Sequence, residues 1–81
     1  MSIAVRDFEW DEYNLSHLRE RHPDISVDIL EDIVLEAKRY VRGSTDQYGK
    51  VAYGARRGRL QVWFNVKKGG VARIFSVREV R

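Results

Sequence analysis

Cysteine is absent from all 81 positions of this chain. Neither a disulfide nor a thiolate-bound metal can therefore hold the protein together, and such a composition suits a reducing cytosol. Histidine is nearly absent too: His17 and His22 stand five apart. That spacing does not bring both rings to one helical face, and no third ligand is evident, so no metal site and no cofactor is expected. No Ser-His-Asp arrangement is evident, and no glycine-rich phosphate loop precedes a helix. Long apolar runs are missing as well. Nothing approaches the ~20 residues of a membrane span. The opening Met1-Ser2-Ile3-Ala4-Val5-Arg6 lacks the apolar core of an export signal. A soluble cytoplasmic protein with no membrane contact is expected. Residues 1–81 make one domain, which should bury only ~60–65% of its unfolded surface and be modestly stable.

Charge is plentiful, and its placement says more than the net +3. Residues 1–36 hold ten acids against three bases, a balance of −7, and residues 37–81 hold twelve bases against two acids, a balance of +10. Two binding surfaces of opposite sign would explain that split. Simple attraction between the halves is the alternative. Twelve bases in the second half exceed what solubility asks for.

The chain is organised around two facing strands, Leu60–Lys67 and Val71–Arg78. In the first, Leu60, Val62, Phe64 and Val66 alternate with Gln61, Trp63, Asn65 and Lys67. This period of two buries one row and frees the other. Gly69-Gly70 supplies the positive φ angles of a two-residue hairpin turn. Upstream, Ile3–Trp10 is expected as a first strand with Phe8 and Trp10 on one face. Asp11 should cap a helix running to about His22, with Asn14 completing a weak capping box; Pro23 disfavours helical geometry in the residue before it. Asn14, His17, Leu18 and Arg21 share one face of that helix, a mixed face rather than an apolar one. Ser26 caps a second helix from Val27 to about Ala37, with Val27, Leu30, Ile33, Val34 and Ala37 inward and an acidic outer face. Ile29 and Leu35 fall outside the stripe, either as a partner surface or as part of a wide one. Lys38–Arg42 and Lys50–Arg56 read as further strands, joined by the polar loop Gly43–Gly49. The class is α+β: two helices on one face of an antiparallel sheet of four to five strands.

Function should sit on the face away from the helices. Trp63, Gln61, Asn65 and Lys67 point there, with Lys50, Ala52, Gly54 and Arg56 from the preceding strand. On the last strand Ala72, Ile74, Ser76 and Arg78 are favoured as outward, although alternation alone leaves Arg73, Phe75 and Val77 open. Small Ala52, Gly54 and Ser76 would form a shallow floor beside Trp63. Lys50, Arg56, Arg59 and Lys67 would rim it. Such a floor suits single-stranded RNA, because guanidinium groups hold phosphates bidentately and an indole stacks on a base for ~1–3 kcal/mol. A surface tryptophan half covered by arginine stems is the alternative for Trp63. Metal-free phosphodiester cleavage needs a base for the 2′-hydroxyl, cations for the phosphorane and an acid for the leaving oxygen. His17, the arginines and Glu79 could supply these. A structural role for His17, and an ion pair of Glu79 with Arg78 or Arg81, are the alternatives.

Phe8-Glu9-Trp10-Asp11-Glu12, Asn14 and the helix end Arg21-His22 resemble the opening of the BrnT family of bacterial toxins. The Ser-capped acidic helix Ser26–Glu36 continues the likeness, and Arg73-Ile74-Phe75-Ser76-Val77-Arg78-Glu79 resembles the family's Arg-Ile-x-Ser-x-Arg-Glu strand. The likeness spans nearly the whole chain. It implies the fold of the RelE-like ribonuclease toxins and a metal-independent endoribonuclease that arrests translation. It also implies a ribbon-helix-helix antitoxin as partner; a homodimer or a toxin–antitoxin heterotetramer is the expected assembly. Arg73, Ser76, Arg78 and Glu79 fall in the family's terminal motif, and Asn14 and His22 in its helical one. Two departures stand out: His22-Pro23-Asp24-Ile25 replaces the usual His-Gly-Val turn, and the family's charged, tyrosine-containing tail is not seen past Arg81. Arg73, Arg78, Glu79 and His17 are thus the expected catalytic set. A non-catalytic RNA- or partner-binding module on the same scaffold is the competing expectation.

Overall fold

The computed structural model describes residues 4–80. Its elements in chain order are β1 (Asp7–Phe8), α1 (Glu12–Arg21), α2 (Val27–Glu36), β2 (Val41–Thr45), β3 (Val51–Arg57), β4 (Leu60–Lys67) and β5 (Val71–Glu79). The strands form one sheet in the order β1-β5-β4-β3-β2. Strands β2 to β5 are an antiparallel meander, and β1 runs parallel to β5. The protein is α+β, two helices packed against a five-stranded, mostly antiparallel sheet. Among the described residues no helix is long and apolar enough to cross a membrane.

Both helices begin where their caps dictate. The Asp11 carboxylate accepts from the N–H groups of Tyr13 (2.9 Å) and Asn14 (3.1 Å), while Asn14 Oδ1 accepts from the Asp11 N–H (2.8 Å). These bonds satisfy donors that the first helical turn leaves without partners. Ser26 caps α2 more weakly, accepting from Ile29 N–H at 3.4 Å. Helix α2 buries Leu30, Ile33 and Val34 against Ala55, Val62, Phe64, Ala72 and Ile74 of the sheet, and α1 adds Leu18. Ile29 and Leu35 stay exposed. Phe64, fully buried, meets the edge of Tyr40 at 5.2 Å, and the Tyr40 hydroxyl donates to Val34 O at 2.7 Å. Truncating Phe64 to alanine should cost ~3–5 kcal/mol.

Strand β4 lies where its alternation predicts; other expectations need correction. The first strand covers Asp7–Phe8 rather than Ile3–Trp10, and Ile3 lies outside the described residues. After Phe8 the chain leaves the sheet: Glu9 N–H makes one last bond to Ala72 O, and Trp10 Nε1 donates to Glu31 of α2 at 2.8 Å. The expected strand Lys38–Arg42 is displaced to Val41–Thr45, because Tyr40 turns its ring into the core and Gly43 lies beneath Trp63. The β4–β5 turn has three residues, Lys68-Gly69-Gly70, since Lys67 pairs with Val71. Gly69 (φ 87°) and Gly70 (φ 81°) supply the left-handed conformations it needs.

Strand β5 carries the largest correction. Ala72 and Ile74 are buried, not outward. The β4–β5 register shifts between Trp63 and Phe64: Phe64 faces Ile74, Trp63 faces Ser76, and Phe75 is the extra residue of a bulge. Alternation therefore restarts at Ser76. Ile74 belongs to the core while Ser76 and Arg78 still reach the open face, and Arg73, opposite Asn65, joins them there.

Candidate functional site

The open face is built around Trp63. Glycines 54 and 43 lie beneath its ring, where a Cβ would stand 2.9 Å and 2.8 Å from the indole Cζ3. Two missing side chains thus let the indole lie flat on β3 and β2. Gly54 is therefore the seat of Trp63, not floor beside it as expected. Glycine backbone of β3 and β2 lies beneath the ring. Next to it a groove of about 250 Å³ is lined by Gly43, Ser44, Ala52, Trp63, Phe75, Ser76 and Arg78. Ala52, Ser76, Trp63 and Arg78 thus meet as the alternation predicts.

The cations of this face are less free than the sequence implies. Lys67 Nζ donates to both Glu9 oxygens at 2.8 and 2.9 Å, and Arg73 Nη1 reaches the same carboxylate at 2.9 Å. Arg73 also holds Asp11 at 2.6 and 3.2 Å. The Arg73 hydrogen bond, helped by the Asn14 N–H, lowers the Asp11 carboxyl to about 2. Glu9 is lowered chiefly by Lys67 and then Arg73, and Arg73 is raised chiefly by Asp11. The acidic N-terminal segment therefore reaches round the β1 edge and neutralises one corner of the basic face. Lys50 and Lys67 share a depression there with Lys68 and Arg73. Arg56 and Arg59 lie at the opposite end, by the β3–β4 turn, with Arg56 Nε donating to Gly58 O. About 20 Å of strand separates the two ends, at ~3.3 Å per residue.

A second concavity lies on the helix side, between α1 and β5. Strand β1 covers β5 only as far as Ala72. Beyond it, side chains of α1 take over the free edge: Asn14 Nδ2 donates to Ile74 O at 3.2 Å, and His22 Nε2 lies 2.9 Å from Val77 O. In that contact Nε2 must carry the proton. Between these tethers opens a cleft of about 210 Å³. His17 and Arg21 line it from the helix, and Ser76 and Arg78 from the free edge of the strand, with Trp10 and Phe75 among its walls. Phe75, Ser76 and Arg78 border both the cleft and the Trp63 groove, so the bulged stretch of β5 is the ridge between them.

No protein-family model, no curated protein and no solved structure matches this chain.

The residues singled out in the sequence thus fall into separate places. His17 and Arg78 line one cleft, and Trp63 and Arg78 one groove. Arg73 stands in the Glu9–Asp11 ion-pair cluster. Glu79, exposed and opposite Leu60, lines neither concavity. The three other bases of the expected RNA rim, Lys50, Arg56 and Arg59, divide between the sheet ends, and Lys67 is paired with Glu9. Sequence reasoning did not single out Arg21 as functional. Its signal was the mixed face Asn14–His17–Leu18–Arg21, which a helix built only for packing would have made apolar.

Proposed function

We propose that this protein is a metal-independent endoribonuclease of the kind its BrnT resemblance implies, with a RelE-like scaffold. It would act in the cytoplasm on single-stranded RNA, arrest translation and be neutralised by a ribbon-helix-helix antitoxin. The observation that carries the reading is the ridge Phe75–Arg78, which brings Arg78 beside a stacking indole on one side and His17 on the other. A base stacked on Trp63 would lay the adjacent phosphate against Arg78. His17 would take the 2′-hydroxyl proton as that oxygen attacks phosphorus, Arg78 would hold the phosphorane charge, and the bond to the 5′-oxygen would break with a 2′,3′-cyclic phosphate left behind. Solvent is left to protonate the 5′-oxygen, because Glu79 leaves β5 on the face opposite Arg78.

The competing reading, a non-catalytic RNA-binding module, is favoured by a specific observation: Arg73 is held by two carboxylates and Glu79 lines neither concavity. One assay separates them. Purified protein incubated with single-stranded RNA in EDTA should release cyclic-phosphate ends, and Arg78→Ala and His17→Ala should abolish this with melting temperature unchanged. Cutting that survives both variants would sink the residue assignment. RNA retention without cutting would establish the binding module instead.

A further inference from the structure

The helix-side cleft has a chemistry of its own. Its two tethers, Asn14 to Ile74 O and His22 to Val77 O, hold α1 against the edge of β5. Between them α1 presents positions 17 and 21, one turn apart on the same face. They are His17 and Arg21, both exposed at the mouth of the cleft. The space is left open, at about 210 Å³. Arg21 lines it from α1 and Arg78 from β5, and neither has an ion pair to a described residue. No aspartate or glutamate is among the described residues that line it, whereas Glu9 and Asp11 pair with Lys67 and Arg73 at the other corner. Two arginines that line one cavity, with no carboxylate among its described lining residues, suit a dianion that both can grip bidentately. The Ser76 hydroxyl adds a donor, and Trp10 and Phe75 add flat apolar surface.

We infer that the cleft between α1 and β5 binds the terminal phosphate of a nucleotide, held between Arg21 and Arg78, with its base against Trp10 and Phe75. The inference rests on the RNA reading for the choice of a nucleotide among phosphate esters. A strand lying on Trp63 would cross the free edge of β5 at the bulge, and its phosphate-bearing end would enter the cleft.

The test is an NMR titration of the full chain with uridine 3′-monophosphate, and in parallel with inorganic phosphate and with uridine. The nucleotide should shift the backbone signals of Arg21, Ser76 and Arg78 and bind tighter than either fragment. Arg21→Gln, a change on the exposed end of α1, should weaken it roughly tenfold, the loss of one charge-assisted contact. Unchanged affinity in both Arg21→Gln and Arg78→Gln overturns the site. So do shifts confined to Lys50, Lys67 and Lys68. Inorganic phosphate that binds as tightly as the nucleotide overturns the assignment of a base to the aromatic walls. Should single-stranded RNA bind while the mononucleotide leaves the cleft untouched, the cleft site fails and the RNA reading stands. The reverse result, mononucleotide in the cleft and no affinity for RNA, sinks the RNA reading alone.

Discussion

At the residue scale Asn14 bears the most structural weight for its size. It is the one buried polar side chain among the described residues, and both its amide donors and its amide oxygen are used. Oδ1 closes the capping box on Asp11, while Nδ2 donates to Glu9 O at 3.0 Å and to Ile74 O at 3.2 Å. One amide thus ties the first turn of α1 to β5. Asn14→Asp removes both donated bonds and points a carboxylate at two carbonyl oxygens; urea denaturation should show a loss of ~3 kcal/mol. A loss below ~0.5 kcal/mol would mean that the tether to β5 does not hold in solution. Gly54 poses the opposite problem. A methyl group there would collide with the Trp63 ring, so Gly54→Ala should tilt the indole off the sheet at a cost of ~1–3 kcal/mol. The Trp63 indole N–H resonance should move, whereas that of Trp10, held by Glu31, should not.

At the element scale the join between α1 and the sheet is electrostatic and pH-sensitive. Asp11 caps the helix and also binds Arg73 of β5. Its carboxyl lies at about 2 in the folded protein against an ordinary 3.8. A depressed carboxyl stabilises the fold fully above its unfolded value and loses that contribution as pH falls through the folded one. The gap in melting temperature between the wild type and Arg73→Gln should accordingly be constant above pH 5 and close between about pH 4 and pH 2. A gap as wide at pH 2 as at pH 5 would assign the effect of Arg73 to packing. Elements were legible in the sequence where one local rule acted alone. Strand β4 follows from strict alternation, and α1 and α2 from their Asp and Ser caps and the Leu30–Ile33–Val34 stripe. Strand β5 obeys two alternations joined at Phe75, and nothing in Arg73–Arg78 marks the seam, because a bulge is decided by how β5 fits β4. The start of β2 was hidden for a similar reason. Tyr40 has high strand propensity, yet its ring and hydroxyl are worth more against Phe64 and Val34.

At the scale of the whole molecule the acidic and basic halves do not face away from each other. Glu9 and Asp11 fold across the edge of the sheet onto Lys67 and Arg73, an arrangement that the count of charges along the chain concealed because these pairs span about sixty residues. Away from that corner, Arg78, Arg56 and Arg59 have no ion pair to a described residue. Any polyanion bound at the Lys67 corner must displace carboxylates already there. Glu9→Gln releases Lys67 and half of the hold on Arg73, and leaves Asp11 to cap α1. If RNA lies on this face, the released lysine can join a phosphate, and each phosphate neutralised on a single strand steepens the dependence of log K on log salt by ~0.7. The variant should therefore bind single-stranded RNA more tightly below ~0.1 M salt, with a slope more negative by about 0.7. Its advantage should vanish toward ~0.5 M, where exposed charges are screened beyond a few ångströms. The measurement is fluorescence anisotropy of a labelled oligonucleotide across a salt series. Identical slopes for the two proteins would show that the strand never reaches the Lys67 corner and would confine the RNA path to Trp63, Arg78 and the Arg56–Arg59 end.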